Sequence, residues 1–398
     1  MRFRLTNLRE KALKMHRDHQ GKLMVESKVK VTNSEDLSLA YSPGVAEPCL
    51  EINKDKENAY LYTMKSHMVA VVSNGTAVLG LGNIGAQAAL PVMEGKAVLF
   101  KSFANVDAFP ICLDTADPDK LIETVEMLAP NFGGINLEDI AAPDCFYVEE
   151  ELKKRLDIPV FHDDQHGTAI VTVAGLVNAL KLVDKQIDQI KVVINGAGAA
   201  GIAIVKLLNK FGVNQIVICD SQGAIYQDRE FGMNPIKEMI GKETNQQMET
   251  GDLRSVMKGA DVFIGVSLAN LVDQEMVRSM NDDPIIFAMA NPNPEIMPED
   301  ALAAGARIVG TGRSDYPNQV NNVLAFPGIF KGALSVMANE INDEMKVAAV
   351  HAIAGIIAEA DLTENYIIPD PFDQRVAVAV SQAVAKAAIE TGVAKQIK

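Results

Sequence analysis

From residue 191 onward the chain alternates short apolar runs with longer amphipathic ones, and this rhythm limits the fold more than any other feature. The segments 191–194 (KVVI), 215–219 (QIVIC), 261–267 (DVFIGVS), 285–292 (IIFAMANP) and 307–312 (RIVGTG) each read as a strand. Short strands that are apolar on both faces, with helices between them, predict a parallel sheet covered on each side. A helix beginning near Ile202 (IAIVKLLNKFG) separates the first two strands. Pro298, followed by Glu299 and Asp300, marks the start of another helix before the last strand. Upstream, 170–183 (IVTVAGLVNALKLV) is apolar almost all round, as a helix buried on most of its surface must be. Two further helical stretches, about 329–360 and 374–393, close the chain. Before residue 165 or so, strands, helices and Pro- or Gly-containing turns are mixed. The expected fold class is therefore α/β: a doubly wound parallel sheet domain over 131–398, preceded by a smaller mixed α/β domain over 1–130. A chain of 398 residues, 48% hydrophobic and 22% charged, has material for two such cores.

The first strand of the larger domain runs into VVINGAGAAG, which sets Gly196, Gly198 and Gly201 in G-x-G-x-x-G spacing around Ala199 and Ala200. One glycine makes the tight strand-to-helix turn, one admits a pyrophosphate close to the backbone, and one lets helix and strand pack closely. The helix that opens here aims free N–H groups and its positive dipole end at phosphate. Asp220, 19 residues past Gly201 at the end of the next strand, stands where an acid would bind a ribose hydroxyl. The domain is thus expected to be of the Rossmann type and to hold a nicotinamide dinucleotide. A carboxylate there favours NAD over NADP, and Ser221 and Gln222 bring no positive charge. Gly80, Gly82 and Gly85 repeat the spacing, but no strand-terminal acid follows at the right distance. That second motif reads as a loop closing on substrate or on the far side of the cofactor.

Charge and cysteine usage narrow the partners. A net charge of −15 repels phosphate backbones and anionic lipid, so neither nucleic acid nor membrane is an expected partner. Cys49, Cys112, Cys145 and Cys219 are dispersed, with no metal-ligand or disulfide spacing, which fits a reducing compartment. No segment reaches the roughly 18–20 uncharged apolar residues of a membrane span. The basic N-terminus lacks an apolar block and reads as an exposed helix, not a secretion signal. A cytoplasmic protein is expected.

Two adjacent acid pairs stand out: Glu138-Asp139 in GGINLEDIAAP and Asp163-Asp164 in IPVFHDDQHGTA. Each follows a short apolar stretch, so each would sit at a strand end, where ligand sites gather in α/β folds. Clustered carboxylates in an enclosed place need protons or a cation, and oxygens alone suit Mg²⁺ or Mn²⁺. Solvated loop acids are the plainer alternative. His162 and His166 flank the second pair, but their spacing selects no metal, and they read as structural or supporting. Lys96 and Tyr41 carry no signal by themselves.

Taken in order, LAYSPGVAEPC (39–49), VSNGTAVLGLGNIG (72–85), PVMEGKAVLFK (91–101), INLEDIAAP (135–143), PVFHDDQHGTA (159–169), INGAGAAG (194–201), ANPNPE (290–295) and NQVNNVLAFPG (318–328) resemble the malic enzyme family in its short bacterial-type form. The resemblance runs from about Leu37 to the C-terminal helices. It implies oxidative decarboxylation of (S)-malate to pyruvate and CO₂ with NAD(P)⁺ and a divalent metal. It implies Lys96 as general base, Tyr41 as general acid, and Glu138, Asp139 and Asp164 as metal ligands. Asp163 would hold and tune Lys96, and Asn291 and Asn321 would face substrate and the nicotinamide end of the cofactor. Longer members carry an arginine for the substrate carboxylate where this chain has Ala77, so a grip from the N–H groups of Gly75 to Ala77, or from a lysine, is expected instead. A chain of this length is expected to be without the acetyltransferase-like extension of hybrid members, and a homodimer or higher homo-oligomer is the default for the family. Two other readings stay open. A metal-dependent oxaloacetate decarboxylase would need only the acids and Tyr41, although the full glycine fingerprint with Asp220 counts against it. A binding module without turnover would have no use for Tyr41, Lys96 and the carboxylates together.

Overall fold

A computed structural model describes residues 2–395 of the chain. Helix α1 (Arg2–His19) is exposed over residues 7–19 apart from half-exposed His16, as expected, and α2 (Ser34–Ala40), α3 (Ala46–Lys54) and α4 (Ala59–Tyr62) follow without a single buried residue. The first sheet comprises β1 (Met68–Ser73), β2 (Asp107–Cys112), β3 (Gly134–Leu137) and β4 (Val160–His162) in the order β2-β1-β3-β4, every pair parallel. Helices α5 (Ala86–Ala104), α6 (Pro118–Leu128) and α7 (Asp144–Arg155) make the crossovers. All six residues of β1 are buried because both faces are covered. Met68, Ala70 and Val72 pack with Leu121, Val125, Val148 and Leu152 of α6 and α7. Val69 and Val71 belong instead to the large core with Phe100 of α5 and with α8 (Asp163–Leu182).

The second sheet holds β5 (Lys191–Asn195), β6 (Gln215–Asp220), β7 (Gly223–Ala224), β8 (Val262–Gly265), β9 (Ile285–Ala288) and β10 (Ile308–Thr311). Its order is β10-β9-β8-β5-β6-β7, parallel except for the short antiparallel β6–β7 edge. Helices α9 (Ala199–Lys210) and α10 (Pro235–Glu243) lie toward the large core, whereas α11 (Leu253–Met257), α12 (Gln274–Arg278) and α13 (Pro298–Ala303) cover the opposite face. Helices α14 (Phe326–Ser335), α15 (Asp343–Ala354) and α16 (Gln374–Glu390) complete the large core, which runs unbroken from Val69 through α8 to Ile194, Phe326 and Val384. The segment expected to be a helix apolar all round is the central element joining the two sheets.

Three expectations shift. Helix α9 begins at Ala199, three residues before Ile202, because Gly198 takes the N-cap position directly after the turn. The stretch 329–360 is two helices, broken before Asn342, whose side chain accepts the Met345 N–H and starts α15. The sheets divide after His162 and not near residue 130, since β3 pairs with β1 and β4 with β3. Four- and three-residue strands carry no pattern that says which sheet they join. In both sheets the strand order reverses once, between β1 and β3 and between β5 and β8, and each reversal opens a crevice at the carboxyl ends of the strands.

Candidate active site

The crevice of the first sheet collects the acids. Glu138 and Asp139 leave the end of β3, and Asp163 and Asp164 leave β4 to open α8. Glu138, Asp139 and Asp164 each present one carboxylate oxygen within 4.8 Å of the others. The Asp139 N–H donates to Asp164 Oδ2 at 2.7 Å, and the Asn136 amide donates to Glu138 Oε2 at 2.9 Å. Asp139 Oδ2 is buried with no hydrogen-bond partner. Lys96, reaching in from α5, places Nζ 2.6 Å from Asp163 Oδ2 and 2.8 Å from Glu138 Oε1, with the Phe326 ring centroid 4.3 Å away. The Asn322 amide also donates to Asp163 Oδ2.

Four carboxyl groups and one ammonium in a buried crevice perturb one another. Burial, then the neighbouring Asp164 and Glu138, push Asp139 up to about 8. Burial likewise lifts Asp164 to about 6 and Asp163 to about 7, and raises Glu138. Burial would lower Lys96, but Asp163 and Glu138 outweigh it and hold the ammonium above its ordinary value. Crowded carboxylates with an unpartnered buried oxygen form a donor set of hard oxygens, which fits a divalent cation of the Mg²⁺ or Mn²⁺ type.

The two histidines stand outside this group. His166 Nε2 lies 2.8 Å from Glu149 Oε1, a carboxylate that also pairs with Lys153 at 2.6 Å and accepts from Gln165 at 3.1 Å. Burial pushes His166 down to about 3, so a neutral ring serves the ionised Glu149. His162 is fully buried behind Asp164, and burial lowers it too.

The crevice of the second sheet carries the glycine turn. Gly196 has φ +123°, and a Cβ there would meet Val266 O at 2.7 Å, so only glycine fits. A Cβ on Gly201 would stand 1.8 Å from Gly196 O, which is the close helix–strand approach expected. Gly198 faces open space, and no side chain caps α9, leaving the first-turn N–H groups of Ala199, Ala200 and Gly201 for phosphate. Asp220 ends β6 as expected, but it is not a bare acid. Arg229 grips both its oxygens, at 2.9 and 2.5 Å, and Lys237 adds a 2.6 Å pair. Despite partial burial, these bonds hold Asp220 down to about 2. The two cations lie nine and 17 residues downstream, beyond the Ser221-Gln222 neighbourhood from which charge was judged.

Other singled-out residues fall as follows. Gly80 of the second glycine motif lies against Asn291, a Cβ there coming 2.8 Å from Asn291 O, so the 74–85 loop meets the 290–292 turn between the two crevices. The side chain of Asn321 caps its own turn by accepting the Val323 N–H; the neighbouring Asn322 is the one that touches Asp163. The N–H groups of Gly75, Thr76 and Ala77 are already donated to Ser73 Oγ, Asn74 Oδ1 and Asp139 O, so they cannot grip a substrate carboxylate as expected. Tyr41 follows α2 and is 69% exposed, and among the described residues its side chain has no hydrogen bond, ion pair or ring contact. Sequence reading missed Asn136, Asn322, Phe326, Arg229 and Lys237. Asn322 and Phe326 lie inside the NQVNNVLAFPG block and Asn136 inside INLEDIAAP, whereas Arg229 and Lys237 lack any local signal.

Two doubly wound crevices, one built for a dinucleotide and one lined with a buried lysine and carboxylates, define an α/β oxidoreductase. The family model described as malic enzyme, N-terminal domain, matches residues 20–153, and the one described as malic enzyme, NAD binding domain, matches residues 165–389. The chain belongs to the malic enzyme family. It is 68% identical to the bifunctional malic/malolactic enzyme of Bacillus subtilis (strain 168), over 98% of this chain and 95% of that protein. It is 55% identical to the NAD-dependent malic enzyme of Geobacillus stearothermophilus, over 99% of this chain and 81% of that one. The crystal structure of the NAD-dependent malic enzyme of Thermotoga maritima superposes with a TM-score of 0.91 at 50% identity, covering 94% of this chain and 98% of that chain.

Proposed function

We propose that this malic enzyme oxidises (S)-malate and releases CO₂ at the crevice between β1 and β3, with the dinucleotide reaching in from the crevice between β5 and β8. The observation that carries the reading is the trio Glu138, Asp139 and Asp164, each with a carboxylate oxygen within 4.8 Å of the others, beside the buried Asp139 Oδ2 that has no hydrogen-bond partner. A divalent cation bound by these three carboxylates would supply a Lewis acid for the C2 oxygen and an electron sink for decarboxylation. Lys96 stands at the edge of the acid group; a cation neutralising Glu138, Asp139 and Asp164 would weaken their hold on its ammonium and favour the neutral form, the base for the C2 hydroxyl proton as hydride passes to the nicotinamide. Asp163 and Asn322 fix its approach, and Phe326 shields it from water. Oxaloacetate then loses its C4 carboxylate as CO₂, and the enol of pyruvate takes a proton at C3 from Tyr41. Asn291 would meet the substrate and the nicotinamide end of the cofactor, and Asn321 would act on the substrate side.

We read the cofactor as NAD, with NADP also admitted. The Asp220 carboxylate favours a free ribose hydroxyl, whereas Arg229 and Lys237 outweigh its single charge and would tolerate a phosphate. That the Bacillus subtilis relative is a bifunctional malic/malolactic enzyme supports a second activity, conversion of malate to lactate, if pyruvate is reduced before NADH leaves. An acidic chain with four free cysteines, and with no described helix long and apolar enough to cross a membrane, fits a cytoplasmic setting. One assay tests the function: malate with NAD or NADP should yield NAD(P)H and pyruvate in equal amounts, stop with EDTA and resume with Mn²⁺. Oxaloacetate decarboxylation without any malate-dependent reduction of either cofactor would overturn it in favour of a lyase.

A further inference from the structure

Gln165 and His166, which follow the acid pair at the start of α8, line a separate cavity of about 580 Å³. That volume is within the range of small-molecule sites. Its walls come from helices of both sheets: α7, α8, α9, α10 and the start of α15. One side is apolar, with Phe146, Leu207, Ile236 and Met239. The other gathers four lysines, Lys153 from α7, Lys206 and Lys210 from α9, and Lys346 from α15. The acids nearby do not settle these ammoniums. Glu149 is already taken up by Lys153 at 2.6 Å, His166 at 2.8 Å and Gln165 at 3.1 Å. Glu150 pairs at 2.8 Å with Lys154, which is not part of the cavity wall. Asp343 serves Lys210 and Lys346 together, each at 3.2 Å, longer than the roughly 2.7–2.9 Å of a tight ammonium–carboxylate bond. Among the described residues, Lys206 has no hydrogen bond or ion pair, nor has Glu243 at the exposed end of α10. Lys346 is only 9% exposed, and burial together with the neighbouring Lys153 holds its ammonium below the ordinary lysine value. A buried cation that shares one half-exposed acid with a second lysine is poorly compensated.

We propose that this cavity binds a phosphate dianion, free or as the head of a small ester, between Lys346, Lys210 and Lys206, with any organic body lying along the apolar wall. The lysines favour this anion. Ammoniums are point charges, and from separate helices they suit a tetrahedral dianion; the planar two-point fit to a carboxylate belongs to arginine, and no described residue of the wall is one. The site is distinct from the dinucleotide turn, because Lys206 and Lys210 lie about two and three helical turns beyond the start of α9. It is nonetheless close to the acid crevice. Lys153 and Glu149 belong to its wall, and Glu149 accepts the His162 N–H at 3.4 Å, directly before Asp163 and Asp164. A bound phosphate would also join α9 and α15 across the cleft to α7. The inference is independent of the reaction proposed above.

Calorimetric titration of the full chain with inorganic phosphate tests this, with saturating NADH filling the dinucleotide site and sodium chloride of matched ionic strength as the blank. One phosphate per chain should bind, with a Kd of about 1 mM or tighter. Lys206→Gln combined with Lys346→Met should weaken it at least about tenfold, as expected for losing hydrogen bonds to charged groups, while malate oxidation in phosphate-free buffer holds. Glycerol 3-phosphate separates the two sources: binding tighter than that of inorganic phosphate assigns an ester, and weaker binding assigns free phosphate. No phosphate binding above the chloride blank would overturn the proposal. Binding that the double variant leaves unchanged would overturn it equally, because the anion would then sit elsewhere. Should Lys346→Met fail to fold, Lys206→Gln alone, at an exposed position, should weaken phosphate at least about threefold, and no weakening would overturn the site.

Discussion

Asp139 and Asp164 are the side chains whose protonation governs the site. Their native values, about 8 and about 6, lie above the ordinary carboxyl range, with burial as the leading cause. The native state therefore keeps protons that the unfolded chain has released, and the metal-free protein loses stability as pH rises from the ordinary carboxyl value through those two values. A divalent cation needs the same oxygens deprotonated. Mn²⁺ affinity should tighten severalfold between pH 6 and 8, and the rise in Tm on adding Mn²⁺ should be larger at pH 8 than at pH 6. Titration calorimetry at the two values checks this, and affinity that ignores pH would contradict it. Little of this was legible residue by residue. The acid pairs were visible as a pattern, but the 66 residues between Lys96 and Asp163 hide a 2.6 Å contact that exists only once the fold brings α5 beside the start of α8. Asp220 shows the converse: its position could be read from spacing, and its charge state could not, because Arg229 and Lys237 return from the following loop and helix.

At the scale of elements, the glycine turn into α9 separates stability from binding. Gly201→Ala would push a Cβ into Gly196 O and should cost about 1–3 kcal/mol of stability, read as a lower denaturation midpoint. Gly198→Ala meets no atom within 4 Å, so stability should hold while the KM for NAD rises, on the order of tenfold. Equal loss of stability in both variants would contradict these distinct roles. Elements with a strong internal signal were legible: α8 from its nearly uniform apolar surface, and the strands of the second sheet from their spacing. The addition of β3 and β4 to the sheet of β1 was not, because such short strands take their place from the helices that carry them. The break between α14 and α15 was hidden for a similar reason, as both flanking stretches are apolar and only the Asn342 cap marks the new start.

Across the whole molecule, one core joins both sheets, so the acid crevice and the dinucleotide crevice are held by the same helices, above all α8, which starts at Asp163-Asp164 and ends beside β5. In the proposed reaction that shared support lets the two strand-end sites act on one substrate. Charge, composition and motif order foretold the class of enzyme; of the helices before the first sheet only the first was foretold, because exposure of apolar surface is a property of packing. The central claim is that carboxylates from the ends of β3 and β4 hold the cation on which the chemistry depends. Counting free Mn²⁺ by electron paramagnetic resonance during titration tests it most directly. The wild-type chain should take up one ion, and Asp139→Asn should bind at least about tenfold more weakly while still binding NAD. Uptake by Asp139→Asn indistinguishable from the wild type would contradict the claim.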